Sequence, residues 1–150
     1  KAEVVDRMLK SWQEFAKKPS QVVIVVDSSG SMKGQKLASV QSTLLNYINS
    51  LGSKETIVLI DFDGFIRPPV MVDSSEAGKN RAMEFLNSLE ADGGTLLYDS
   101  ALEARNWLQN NLKPDTINAI VILTDGNDSD SKIGLESLNK ELNKNKIFAE

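Results

Sequence analysis

Apolar positions along this chain follow two alternating rhythms. In residues 4–16, Val4, Val5, Met8, Leu9, Trp12 and Phe15 recur at helical spacing, and Pro19 stands just past the helix end. From Gln21 to Val26 the chain is almost wholly β-branched and stops at Asp27. A continuous apolar run of this kind suits a strand buried on both faces. Leu37, Val40, Leu44, Leu45, Ile48 and Leu51 restore the helical period, with Gly52 placed to cap it. Thr56 to Phe62 reads as a second strand. Ile66 to Val72 reads as a third, put at a sheet edge because Pro68 and Pro69 cannot donate to a central ladder.

The alternation continues to the end of the chain. Ala82, Phe85, Leu86 and Leu89 mark a helix, and Gly93-Gly94 breaks it. Leu97, Ala101, Ala104, Leu108 and Leu112 mark another, ended near Pro114. Ile117 to Leu123 is a strongly apolar strand. Leu135, Leu138 and Leu142 suit a further helix, and Ile147-Phe148-Ala149-Glu150 reads as a strand cut short. Strands alternating with helices predict the α/β class: a Rossmann-like, three-layer α/β/α domain with a mostly parallel central sheet and one antiparallel edge strand. Residues 1–19 are expected to be an N-terminal helix and linker, and residues 20–150 the domain proper. The two most apolar strands, Val22–Val26 and Ile117–Leu123, are expected to be neighbours at the centre.

Composition narrows the chemistry. The chain has 150 residues, 41% apolar and 25% charged, which fits one globular domain. Its net charge of −4 argues against a nucleic-acid partner, and no apolar run approaches a membrane span. There is no cysteine, so disulfides and zinc–thiolate sites are excluded. There is no histidine either. That removes Ser-His-Asp catalysis, imidazole bases and His-ligated metals. Any metal must be held by oxygen, which favours Mg2+, Ca2+ or Mn2+.

Three polar groups fall at strand ends or at breaks between elements, where an open α/β sheet binds its ligands. They are Asp27-Ser28-Ser29-Gly30-Ser31, Gly93-Gly94-Thr95 and Thr124-Asp125-Gly126. Hydroxyls are neutral ligands. An ion held by several of them and only two carboxylates keeps affinity for a further anion. Gly30 between the two serines gives the backbone freedom to turn both side chains to one side.

A DxSxS segment after the first strand, a later GGT turn and a TDG after a buried strand resemble the von Willebrand factor A family, over about residues 20–150. The resemblance implies a metal-ion-dependent adhesion site. In it Ser29, Ser31 and Thr95 give hydroxyl oxygens to Mg2+, or to Mn2+ or Ca2+, and Asp27 and Asp125 hold the ion directly or through water. It implies a protein partner that supplies an Asp or Glu carboxylate, and no catalysis. It also implies a C-terminal truncation, because the family's final strand and helix are largely missing. The segment Val4–Pro19 running into the DSSGSM strand looks like bacterial proteins in which a solute-binding domain precedes this module. That favours the cell envelope, the cell surface or secretion, while related chelatase and ATPase-partner modules are cytoplasmic.

Each piece also has a plainer reading. DSSGS is ordinary turn chemistry, Thr95 suits a helix N-cap, and Thr124 suits the satisfaction of strand-end backbone groups. Trp12, Trp107 and Phe85 read as core. Asn127, Asp128 and Asp130 read as a solvated loop, since the glycine an EF-hand requires is replaced by Asp130. Asp61-Phe62-Asp63-Gly64 after an apolar strand resembles the start of haloacid-dehalogenase-type phosphatases, with Asp61 as nucleophile and Asp63 as acid/base. Phe65 departs from that pattern, and the phosphatase reading leaves DxSxS and GGT unexplained. A degenerate, metal-free structural module is the other alternative.

Overall fold

A computed structural model of the chain describes residues 19–126, 128, 131–134, 136–138, 140 and 148–149. The expected helix over residues 4–16 lies outside these, as do Asn127, Asp130, Leu135 and Leu142. Among the described residues a five-stranded sheet has the order β3-β2-β1-β4-β5. The strands are β1 (Ser20–Asp27), β2 (Glu55–Phe62), β3 (Val70–Val72), β4 (Ile117–Leu123) and β5 (Phe148–Ala149). Between β1 and β4 lie three helices, α1 (Gln35–Asn49), α2 (Glu76–Ser88) and α3 (Leu97–Asn110). A short 3-10 turn, Gly30–Met32, precedes α1.

β1 is the centre of the sheet. It pairs in parallel with β2 on one side and β4 on the other, so Val26 lies opposite both Asp61 and Leu123. All eight of its residues are buried. Val22, Ile24 and Val26 pack with Leu44 and Ile48 of α1 and Phe85 and Leu86 of α2. Val23 and Val25 face the opposite way and pack with Ala104 and Leu108 of α3. The period of two thus sends one strand into two separate cores, which makes the three layers. Each fully buried Val or Ile there stabilises by roughly 1.5–3 kcal/mol relative to exposure. Phe85 is core as expected, while Trp107 packs half-buried at the edge of the α3 core.

The edge strand is antiparallel, as its prolines suggested, but it is shorter than the sequence implied. Regular pairing with β2 runs only from Val70 to Val72. Ile66 makes an isolated bridge to Phe62, and Pro68-Pro69 interrupts the ladder because neither residue has an N–H to give. Gly52 does not cap α1. The helix stops at Asn49, and Ser50 closes it, its N–H and its hydroxyl both donating to the Tyr47 carbonyl. No helix among the described residues is long and apolar enough to cross a membrane.

The strand order reverses at β1. The chain runs outward through β2 and β3, then returns to lay β4 on the other side. The C-terminal ends of β1 and β4 therefore flank the switch point, where a ligand crevice forms in folds of this class.

Candidate metal site

Asp27 ends β1 and is completely buried. Its two carboxylate oxygens are fixed in different directions. One accepts the Ser29 N–H at 2.9 Å. The other accepts the Thr124 hydroxyl at 2.7 Å, across from the end of β4. Thr124 in turn accepts the Gly126 N–H at 3.1 Å. Its role therefore exceeds satisfying strand-end backbone, because it couples the first and third loops.

The second loop docks on the first through backbone hydrogen bonds. Gly30 N–H donates to the Gly93 carbonyl at 3.0 Å, and Asp92 N–H donates to the Ser28 carbonyl at 3.0 Å. Gly93 takes a φ of +78°, a conformation that costs a glycine nothing. The backbone freedom expected at Gly30 is used here instead, since Gly30 is not among the positive-φ residues. Thr95 follows, buried, and the N-cap of α3 is Leu96 rather than Thr95. The third loop carries Asp125, whose carboxylate meets the Lys36 ammonium of α1 at 3.3 Å. Loops carrying Asp27, Ser29, Ser31, Thr95 and Asp125 thus converge on one end of the sheet.

The donor set suits a small hard cation. Two adjacent ligands of an octahedral Mg2+, each at about 2.1 Å, lie about 3 Å apart. Ser29 Oγ and Ser31 Oγ are 3.1 Å apart, a separation that equally serves a hydrogen bond between them. Ser29 is completely buried while Ser31 is exposed, so the pair spans from the floor of the crevice to its rim. No cluster of three or more His, Cys, Asp or Glu side chains suited to a metal occurs among the described residues. Among the described residues, the oxygen donors that the three loops bring to this end of the sheet are hydroxyls and the carboxylates of Asp27 and Asp125.

Other residues support the loops in ways that a linear reading does not register. Asp128 is not simply solvated: its carboxylate accepts the Tyr98 N–H at 3.2 Å, at the start of α3. Asp99 accepts the Lys132 and Ile133 N–H groups, both at 3.0 Å, and so pins the loop from the other side. Asp61 and Asp63 sit at the end of β2 and in the turn after it, as the adhesion-type reading requires, and both are buried. Ser28 donates its hydroxyl to Asp61, and Arg67 reaches Asp61 at 3.2 Å and Asp63 at 3.0 Å. Burial pushes the Asp61 carboxyl above the usual carboxylate range. The Ser28 hydrogen bond and the Arg67 charge oppose that rise, while the charges of Asp63 and Asp27 add to it.

Comparison with known proteins agrees with this architecture. The family model described as the von Willebrand factor type A domain matches residues 22–127. The inter-alpha-trypsin inhibitor heavy chain H4 of Bos taurus is 32% identical over 115 residues, which are 72% of this chain and 13% of that one. An uncharacterized protein of Synechocystis is 31% identical over 109 residues, 72% of this chain and 25% of that one. The chain therefore spans only a small part of these relatives. Among solved structures, a von Willebrand factor type A protein from Catenulispora acidiphila superposes with a TM-score of 0.74 at 21% identity, over 87% of this chain and 32% of that one. The vWF domain of a type V pili tip protein from Porphyromonas gingivalis gives 0.60 at 19% identity, over 79% and 43%.

Proposed function

This chain belongs to the von Willebrand factor type A domain family, a family of protein-interaction and adhesion modules, and on that premise we propose that it recognises a partner protein through a divalent cation held by Asp27, Ser29, Ser31, Thr95 and Asp125. The observation that carries the reading is the Ser29–Ser31 hydroxyl pair, 3.1 Å apart and backed by a buried Asp27. When bound, Mg2+ or a similar ion such as Mn2+ or Ca2+ supplies a position that an incoming carboxylate oxygen can fill.

The chain's own residues do the rest. Asp27 brings buried negative charge to the floor of the crevice and is fixed there by the Ser29 N–H and the Thr124 hydroxyl. Asp125 brings the second charge from the opposite loop. Two carboxylates balance one divalent ion and leave no surplus negative charge to repel an Asp or Glu of the partner. The acidic net charge of −4 further disfavours nucleic acid as that partner.

A phosphatase centred on Asp61 fits poorly. A nucleophilic carboxylate needs open access and an ionised state. Asp61 is 6% exposed, with its oxygens engaged by Ser28 and Arg67 and its affinity for a proton raised by burial. We accordingly read the chain as a binding module rather than an enzyme. A place at the cell envelope or surface, or in secretion, follows from the resemblance of residues 4–19 to the bacterial arrangement, and a cytoplasmic location is the alternative.

Calorimetric titration with Mn2+ tests the reading. Wild type is expected to give saturable heat, and Ser29→Ala is expected to give none. An equal lack of heat in both proteins would instead establish the degenerate, metal-free module. A pull-down with and without chelator then identifies the partner class.

A further inference from the structure

Behind these loops runs a second line of polar contacts, buried at Ser28, Asp61 and Asp63 and reaching the surface at Arg67. It begins at Ser28, the residue between Asp27 and Ser29, which is itself buried. The Ser28 hydroxyl lies on a carboxylate oxygen of Asp61 and 3.1 Å from the Phe62 carbonyl, which also accepts the Ser28 N–H at 2.8 Å. The other oxygen of Asp61 meets one arm of the Arg67 guanidinium at 3.2 Å. The second arm meets Asp63 at 3.0 Å. Asp63 then accepts the Leu96 N–H on its backbone carbonyl at 2.9 Å, and Leu96 directly follows Thr95. One arginine fork therefore joins the loop of Ser29 and Ser31 to the loop of Thr95.

The arrangement is costly unless it has a purpose. Asp61 and Asp63 place two like charges in a buried corner, which repel each other and pay for desolvation. At Asp61, within β2, a Leu or Val would extend the apolar core with no such cost. The planar fork of Arg67 fits this corner because it binds two carboxylates in fixed directions, as a lysine cannot. Arg67 is also tied through its backbone, with its N–H on the Asp61 carbonyl at 2.9 Å. The turn that follows Asp63 is closed by the Phe65 N–H on the Asp63 carboxylate at 2.8 Å and by the Asp63 N–H on the Phe65 carbonyl at 3.0 Å. Gly93, in the second loop, lies against the Asp63 carboxylate, where an added Cβ would stand 3.7 Å from it. Each end of the line is thus held at a backbone position next to a proposed ligand.

We propose that Arg67, with Asp61, Asp63 and Ser28, is a positioning unit that fixes the spacing between the Ser29–Ser31 hydroxyls and Thr95. The inference rests on the metal-site reading above. None of the four residues is itself proposed to touch the cation. Outer contacts of this kind commonly change metal affinity by about 10- to 100-fold when removed.

The test uses Arg67→Met, Ser28→Ala and the double variant, each titrated with Mn2+ and each unfolded in urea with chelator present. Ser28→Ala removes one hydroxyl and so serves if Arg67→Met fails to fold. Both single variants are expected to lose Mn2+ affinity by about tenfold. The double variant is expected to lose little more than either single one, because both changes cut the same line. In the metal-free unfolding cycle, Ser28 and Arg67 are expected to be non-additive although they touch only through Asp61. Variants that unfold more easily but keep wild-type Mn2+ affinity overturn the positioning role and leave the proposed function intact. Additive effects on metal-free stability overturn the linkage itself. Wild type that takes up no Mn2+ overturns the proposed function, and the positioning role falls with it.

Discussion

Lys36 stands in the first turn of α1, where the helix dipole disfavours a positive charge. It nevertheless places its ammonium 3.3 Å from Asp125, one of the two carboxylates of the crevice. A cation bound at the proposed site would compete with this tethered ammonium for the same oxygen. The pair is weak, because more than half of the lysine side chain is exposed, and exposed pairs contribute about 0.2–1 kcal/mol. Lys36→Met is therefore expected to tighten Mn2+ binding by about two- to fivefold at low salt, and by less at high salt where the pair is screened. Weaker binding in Lys36→Met, measured by titration at both ionic strengths, would show that the ammonium assists the site. At this scale the sequence was informative where chemistry and position coincide. Asp27, Ser29 and Ser31 follow a strand too apolar to be anything but central. Asp99 and Asp128 were illegible because their partners are distant in the chain, and Arg67, although close in sequence to Asp61 and Asp63, reads as a solvated charge in a polar stretch. Thr124 was seen, but its bond to Asp27 depends on β1 and β4 lying side by side.

At the level of elements, α2 shows how closely a local motif can be packed. Ser75 caps the helix by accepting the Gly78 N–H at 3.0 Å, and the Asp73 carboxylate accepts the Ser75 N–H at 3.0 Å. A Cβ on Gly78 would stand 2.7 Å from the Asp73 backbone nitrogen and 2.9 Å from its carbonyl oxygen. Backbone has no rotamer in which to escape, so Gly78→Ala is expected to cost about 1–3 kcal/mol by overpacking, despite the better helix propensity of alanine. Gly52→Ala makes a control, since no atom lies within 4 Å of a Cβ there, and it is expected to change stability by less than about 0.5 kcal/mol. Equal urea midpoints for the two variants would contradict the tight packing of α2 on Asp73. Such contacts explain why elements were legible and their ends were not. The periods of β1, β2, β4 and the three described helices identify their type. The stop of α1 at Asn49 is set by Ser50, and the delayed start of β3 by Pro68-Pro69. Both are local competitions for backbone hydrogen bonds that periodicity does not register.

Across the whole molecule, the crevice sits where the most apolar strands end, so the site and the core share one scaffold. Asp27 closes β1, the strand that feeds both cores, and Thr124 ties it to β4. A cation held by loops from both strands would bind the folded chain and not the unfolded one, which couples binding to global stability. A ligand present at about 100 times its dissociation constant adds about 2.7 kcal/mol to folding. For a domain of this size that corresponds to a rise in Tm of roughly 5–10 °C. Excess Mn2+ is therefore expected to raise the Tm of wild type by that amount, chelator is expected to reverse it, and Ser29→Ala is expected to melt at one temperature in either condition. A rise of equal size in Ser29→Ala would place the stabilising ion elsewhere on the protein. A wild-type Tm that does not respond, in a protein that still gives heat with Mn2+ in the calorimeter, would mean that the ion binds the unfolded chain as well as the folded one, and so does not depend on the joining of β1 and β4 by Asp27 and Thr124.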